Sequence, residues 1–184
     1  AAVFPVFTLV TLFMAVMVRL TSPGPVLFKQ ERIGLGGRRF KIYKFRTMHV
    51  AADTRGHQQH FSALMTSNAP MQKLDAKGDS RLIAGAWLIR ATGLDELPQI
   101  INVLRGEMSV VGPRPCIPYE YEQFTADQRR RCESVPGLTG LWQVSGKNRT
   151  TFEQMIAFDC AYGQRRSLWL DVKIIVLTPV ALLV

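Results

Sequence analysis

Two adjacent carboxylates, Asp95 and Glu96, stand in the segment Leu94–Asp95–Glu96–Leu97–Pro98–Gln99, and Arg114 is held between prolines in Gly112–Pro113–Arg114–Pro115. The chemistry open to such a set is nucleophilic attack on phosphorus, assisted by a divalent cation. Neighbouring side chains on a helix diverge by about 100°, so the two carboxylates are not arranged to share one proton. They suit separate tasks: one attacks, and the other holds a hard cation such as Mg²⁺, which takes oxygen ligands, keeps several waters and bridges to substrate phosphates. Prolines on either side reduce the entropy that Arg114 loses on engaging an anion, and arginine grips phosphate bidentately. Each motif alone also has an ordinary reading. Asp-Glu at a helix start is common capping, and a proline-stiffened turn can carry a solvated arginine.

Composition narrows the partners. A chain of 184 residues suits one domain with its own core, and Lys+Arg 23 against Asp+Glu 14 give a formal charge of +9. That excess implies an anionic partner: nucleic acid, an acidic lipid surface or a phosphorylated substrate. The basic residues are scattered and carry no nucleic-acid-binding motif, which argues against nucleic acid. Cys116, Cys132 and Cys160 are odd in number and form no C-x-x-C pair. A disulfide framework and a four-cysteine zinc site are therefore disfavoured, and a reducing, cytosol-facing compartment is preferred. His49, His57 and His60 lie in or beside a polar stretch without a nearby cysteine, and read as solvated.

The flanking segments must position the reactive groups. Val26–Arg32 and Arg38–Phe45 predict a hairpin through Gly34–Leu35–Gly36–Gly37. The two-residue period puts Phe40, Ile42, Lys44 and Arg46 on one face, where the two cations, taken alone, snorkel to water. The stretch 49–80 is polar and predicts a loop-rich excursion. A short helix near Ala84–Ala91 carries Arg90 toward the Asp95 turn, and Gly93 permits a tight approach. The next helix is expected over Glu96–Arg105, with Asp95 at its N-cap and Gly106 as its stop. Thr125 with Gln128, and Thr151 with Gln154, form capping boxes. Beyond the second, Phe152, Met155, Ile156 and Asp159 lie along one stripe, and an inward carboxylate calls for a cationic partner or a task. Leu168–Val184 predicts an apolar helix with Trp169 at its head, packed on the core or lying in a membrane interface.

Ala1 to Val18 carries no charge. Its Val, Phe and Leu residues contribute roughly −3 to −6 kcal/mol toward insertion, partly offset by Pro5, Thr8 and Thr11. Eighteen helical residues reach about 27 Å, slightly short of a ~30 Å hydrocarbon core, and Pro5 favours a kink. Three readings stay open: a marginal spanning helix, one limb of a re-entrant helix, and a buried core helix. A signal peptide is disfavoured, because no basic segment precedes the run. The chain begins without methionine, which suggests native sequence upstream that would hold another limb.

Four stretches now point one way. KFRTM at Lys44–Met48, LDELPQ at Leu94–Gln99, NVLRGEMSVVGPRP at Asn102–Pro115 and PGLTGLWQVSGKN at Pro136–Asn148 closely resemble, in order, the motifs of the bacterial sugar transferases, the monotopic polyprenyl-phosphate phosphoglycosyl transferases. The resemblance runs from about Arg19 to Asp171. It implies a mostly helical α+β fold: a re-entrant membrane helix over residues 1–20, then a small hairpin and a helical cytosolic catalytic domain over residues 21–184 at the interface.

The implied activity is transfer of a sugar-1-phosphate from a UDP-sugar to undecaprenyl phosphate, through a covalent phosphosugar on the motif's aspartate. Carried onto this sequence, Asp95 is the nucleophile, Glu96 the Mg²⁺ ligand and Arg114 a phosphate or nucleotide contact. Lys44, Arg46, Arg90, Gln143 and Asp159 occupy matching positions that shape the substrate site. The implied partners are UDP-sugar, undecaprenyl phosphate and membrane lipids, with a homo-oligomer left open, at the cytoplasmic face of the bacterial inner membrane. Departures from the family pattern are Phe4–Pro5 in place of a Ser-Pro pair, Gly93 in place of serine, and Lys147 in place of arginine. The competing expectation is a non-catalytic, membrane-attached scaffold that binds anionic lipid through its basic surface.

Overall fold

The apolar N-terminal run forms α1 (Val3–Thr21) in a computed structural model that describes residues 3–50, 55–71 and 81–183. Pro5 falls in the first turn, where no intrahelical N–H bond is due, so the helix is continuous from Val3 to Thr21. Met14 and Val18, four residues apart, are fully buried, while Leu9, Leu12, Phe13, Val16 and Leu20 face outward. Met14 packs with Phe45 and Ile89, and Val18 with Ile83 and Ala86. The helix is therefore built into the protein along one side and apolar on the other. No described helix is long and apolar enough to cross a membrane.

The hairpin forms as expected. Strands β1 (Leu27–Ile33) and β2 (Arg39–Phe45) pair antiparallel, with Leu27 opposite Phe45 and Ile33 opposite Arg39. The chain reverses through a 3₁₀ turn at Leu35–Gly37, where Gly36 takes φ 63°. The polar stretch departs from expectation, because Arg55–Ser67 is a helix, α2. Phe61 and Leu64, three residues apart, are buried, and that pair is enough to seat a polar helix on the core. The remainder of the expected excursion, residues 51–54 and 72–80, lies outside the described residues, as does the side chain of His57.

Helix α3 (Ala86–Thr92) ends at Gly93 in the left-handed region, with φ 70°. A 3₁₀ turn, Leu94–Gln99, follows and passes into α4 (Ile100–Leu104). This corrects the single helix expected over Glu96–Arg105. Asp95 lies inside the 3₁₀ turn rather than at an N-cap, a place taken by Gly93 with no side-chain cap. Gly106, at φ 73°, ends the unit as anticipated.

A second, parallel pairing was not evident from the sequence: β3 (Ser109–Val111) aligns with β4 (Gly137–Thr139). Between them run α5 (Pro118–Gln123) and α6 (Ala126–Arg129), the latter prolonged by a 3₁₀ turn over Arg130–Glu133. The GPRP and PGLTG segments touch backbone to backbone: Gly112 N–H donates to Thr139 O at 2.8 Å, and Gly137 N–H to Pro113 O at 2.9 Å. A Cβ on Gly140 would collide with the Gly112 carbonyl. Gly140 is extended, so contact rather than dihedral preference dictates glycine there. Gly140→Ala is expected to destabilise the protein by about 2–3 kcal/mol, as overpacking does. At roughly 2–4 °C per kcal/mol for a chain of this size, Tm should fall by about 4–12 °C in a thermal melt.

The chain closes with α7 (Leu141–Val144), α8 (Phe152–Arg165) and α9 (Leu168–Leu183). Both expected capping boxes are present, with Thr125 bonded to Gln128 N–H and Thr151 to Gln154 N–H. Phe152, Met155, Ile156 and Asp159 are all buried, as the stripe required. Ile33, Phe61, Cys116, Phe124, Cys132 and Trp142 join the three apolar members in the main core. Helix α9 packs through Ile174 against Val111 and Tyr162, while Trp169, Val176 and Val180 remain exposed.

Candidate active site

Gly93 turns the chain into the 3₁₀ segment, and Leu94 and Leu97 anchor that segment in the cluster around Met14 of α1. Asp95 and Glu96 thereby acquire opposite environments. Asp95 is 7% exposed, whereas the Glu96 side chain is 42% exposed. Lys44, reaching across from β2, places Nζ 2.5 Å from Glu96 Oε1. The expectation that Lys44 snorkels to water is thus corrected: its ammonium is spent on the carboxylate pair.

Burial pushes the Asp95 carboxyl above its ordinary range, and the neighbouring Glu96 adds to the rise. Lys44 and Arg90 pull the other way. Burial also acts upward on Glu96. There the Lys44 ammonium, its hydrogen bond, and the more distant Arg114 and Arg32 outweigh it, holding Glu96 below the usual glutamate value. The two carboxylates are therefore electrostatically distinct. Glu96 is the firmly ionised one and Asp95 the more basic.

Arg90, in the last turn of α3, acts on Asp95 as anticipated and sets NH1 3.2 Å from Thr47 Oγ1. Arg114 is half-buried; its NH1 lies 3.7 Å from Glu120 Oε2, and its charge is felt at Glu96. Gln143, on α7, has a buried Oε1 without a hydrogen-bond partner among the described residues. That atom lies at the Gly112–Gly140 contact, beside the arginine turn. Lys44, Arg90, Asp95 and Glu96 are thus brought together, with Arg114 in electrostatic reach and Gln143 next to the glycine that precedes its turn.

Two residues expected to shape the substrate site, Arg46 and Asp159, make their hydrogen bonds to the protein itself. Arg46 is 4% exposed and ties down the end of α1. Its Nε donates to Pro25 O at 2.7 Å, NH1 to Ser22 Oγ at 2.8 Å and NH2 to Ser22 O at 2.9 Å. The signal for this role was present in Ser22–Pro23–Gly24–Pro25, a segment whose carbonyls no helix can satisfy. Asp159 is 1% exposed and pairs with Arg131 NH2 at 2.5 Å, so the stripe's odd carboxylate has a cationic partner rather than an open face. Arg131 was not singled out in the sequence. It is the last of three consecutive arginines that resemble a solvated basic helix, and nothing local separates it from Arg129 and Arg130.

Among the described residues no group of three or more His, Cys, Asp or Glu side chains forms a cage for a metal. A cavity of about 10 Å³ lies behind the arginine turn, lined by Ile33, Gly34, Arg114, Arg131 and Ser134 among others. It is smaller than the ~300 Å³ at which ordinary ligand pockets begin.

The profile of the bacterial sugar transferase family matches residues 1–184. The chain is 42% identical over 180 residues to the UDP-glucose:undecaprenyl-phosphate glucose-1-phosphate transferase of Xanthomonas campestris, covering 94% of this chain and 34% of that protein. It is 40% identical over 185 residues to the Caulobacter vibrioides protein of the same name, covering 96% and 64%. With the undecaprenyl-phosphate galactose phosphotransferase of Salmonella typhimurium it shares 37% identity over 158 residues, covering 83% and 32%. It spans only part of the length of each of these relatives. With the motifs in order and the carboxylate pair flanked by its cations, the chain belongs to the bacterial sugar transferase family.

Proposed function

We propose that this protein transfers a sugar-1-phosphate from a UDP-sugar to undecaprenyl phosphate by a two-step displacement on Asp95. In the first step an Asp95 carboxylate oxygen attacks the sugar-bearing phosphorus. The bond from that phosphorus to the bridging oxygen breaks, and UMP leaves. In the second, a phosphate oxygen of undecaprenyl phosphate attacks the same phosphorus, the Asp95–phosphorus bond breaks, and a polyprenyl-diphosphate sugar is released. The observation that carries this reading is the division of labour in the pair: a buried, more basic Asp95 beside a half-exposed, firmly ionised Glu96 that Lys44 holds in place. The names of the relatives support the substrates.

One half-exposed carboxylate fits Mg²⁺ of the kind that enzymes hold with few protein ligands and substrate phosphates. When bound at Glu96, Mg²⁺ would neutralise charge on the diphosphate. Lys44 orients Glu96 and lowers the proton affinity of Asp95, and Arg114 supplies a bidentate guanidinium for the phosphates.

The reaction belongs at the cytoplasmic face of the inner membrane. Support comes from the outward Leu12, Phe13 and Leu20 of α1, Trp87 of α3, and Trp169 and Val176 of α9, which leave extensive apolar surface on a protein of formal charge +9. In this placement α1 enters the lipid as one limb of a re-entrant element. The test is UMP release by the full chain in lipid nanodiscs given UDP-sugars, undecaprenyl phosphate and Mg²⁺, together with a phosphosugar mass increment on the protein when acceptor is omitted. Release of UDP in place of UMP would sink the proposal.

A pH profile adds a second test. Because Lys44 lowers the proton affinity of Asp95, Lys44→Met should move the acid limb of kcat/KM to higher pH. An unmoved limb would mean that Asp95 does not titrate in that limb.

A further inference from the structure

Behind Arg114 lies a cluster of buried charges that the proposed chemistry does not use. Arg131 and Asp159 form an ion pair with both side chains 1% exposed, and Arg32 and Glu120 are buried beside them. Their hydrogen bonds converge on the backbone of one turn. Arg131 NH2 donates to the Arg114 carbonyl at 2.9 Å, and Arg32 NH1 to the next carbonyl, Pro115, at 3.0 Å. On either side, Gly137 N–H donates to Pro113 O and Ile33 N–H to Cys116 O, each at 2.9 Å. Four consecutive carbonyls, from residue 113 to residue 116, are thus held by donors from different parts of the chain. Glu120 Oε2 completes the set by accepting from Ile117 N–H at 2.8 Å.

Prolines alone do not fix this turn. Pro113 and Pro115 lock their own φ, but ψ stays free, and ψ decides where each carbonyl and the following residue point. The guanidinium bonds from Arg131 and Arg32 fix the carbonyl of Pro115 and, within the extended range that Pro115 already imposes on the residue before it, that of Arg114. The arrangement is not an economical way to gain stability. A buried ion pair seldom outperforms apolar packing of the same volume, and Arg131 NH1, Asp159 Oδ1, Glu120 Oε1 and Arg32 Nε have no hydrogen-bond partner among the described residues. What it provides is direction. A bidentate contact tolerates an error of only about 0.5 Å and 10–20°.

We propose that Arg32 and Arg131, the latter held by Asp159, are positioning residues that fix the Gly112–Ile117 backbone so that Arg114 presents its guanidinium to a phosphate of the nucleotide sugar. This rests on the reading of Arg114 given under the proposed function, and it assigns Asp159 an indirect role in place of substrate contact.

A double-mutant cycle on UMP release tests it, using Arg131→Lys, Arg114→Ala and the pair together. Arg131→Lys alone should lower kcat/KM by about tenfold, chiefly through KM, because charge is kept and the fork is lost. In the Arg114→Ala background the same change should cost less than about twofold, since the residue being aimed is gone. Equal losses in both backgrounds overturn the proposal. Arg32→Lys is the second variant should Arg131→Lys not fold, with the same expected non-additivity.

An arm independent of activity is hydrogen exchange. The peptide spanning residues 112–117 should exchange at least about tenfold faster in either lysine variant, while α8 keeps its protection; unchanged exchange in that peptide overturns the proposal. Absence of UMP release from the parent would defeat the proposed function, and the exchange measurement would still decide the positioning role.

Discussion

Asp95→Asn is expected to lower UMP release by at least about 10⁴-fold and to abolish the phosphosugar increment on the protein, because an amide is a poor nucleophile toward phosphorus. The substitution preserves volume at a site only 7% exposed. The packing of Leu94 and Leu97 around Met14 should therefore persist, and the melting temperature should stay within a few degrees of the parent. A large loss of activity with an intact fold separates this outcome from simple unfolding. Burial sharpens the expectation. The desolvated carboxylate at Asp95 is more basic than a surface aspartate, and the cations Lys44 and Arg90 restrain that rise so that an ionised fraction remains for attack. A variant retaining more than about a hundredth of parental turnover would mean that another group attacks phosphorus, and the two-step scheme would fail.

The hairpin, the C-terminal end of α3 and both capping boxes were legible because each depends on short-range chemistry: a period of two, a glycine beyond a helix, a Gln three residues after a Thr. The carboxylate pair was legible by type but not by conformation. Gly93 in the left-handed region and Pro98 inside the segment favour a tight 3₁₀ turn, which a helix-wheel reading of Glu96–Arg105 does not anticipate. The parallel contact of β3 with β4 left no trace, since each strand has three residues and the evidence lies in glycines whose neighbours are remote in sequence. Arg46 and Asp159 share a lesson. Asp159 was legible as a carboxylate facing inward, but Arg46 only as a cation that, taken alone, snorkels to water; a sequence pattern cannot distinguish a charge facing solvent or substrate from one facing the backbone carbonyls of Ser22 and Pro25, or from one facing Arg131. Arg32 and Arg131 escaped notice because each looks like an ordinary surface cation in its local setting.

Glu96→Gln should behave differently from Asp95→Asn in both magnitude and form. A neutral amide is a weak ligand for Mg²⁺, so kcat/KM should fall by about 10²-fold at low Mg²⁺ and recover partly as Mg²⁺ is raised, whereas Asp95→Asn should not respond. The acid limb supplies a sharper signature. Glu96 and Lys44 are bonded to each other at 2.5 Å, yet they act on Asp95 with opposite sign, Glu96 raising its proton affinity and Lys44 lowering it. Removing the Glu96 charge should therefore move the acid limb to lower pH, and removing the Lys44 charge should move it to higher pH. A merely structural role for their contact would predict the same disturbance from either side. Measuring kcat/KM across pH for Glu96→Gln and Lys44→Met at saturating Mg²⁺ decides the point: limbs displaced in the same direction would show that the pair acts through the shape of the turn, and limbs displaced in opposite directions would show that it acts through the charge felt at Asp95.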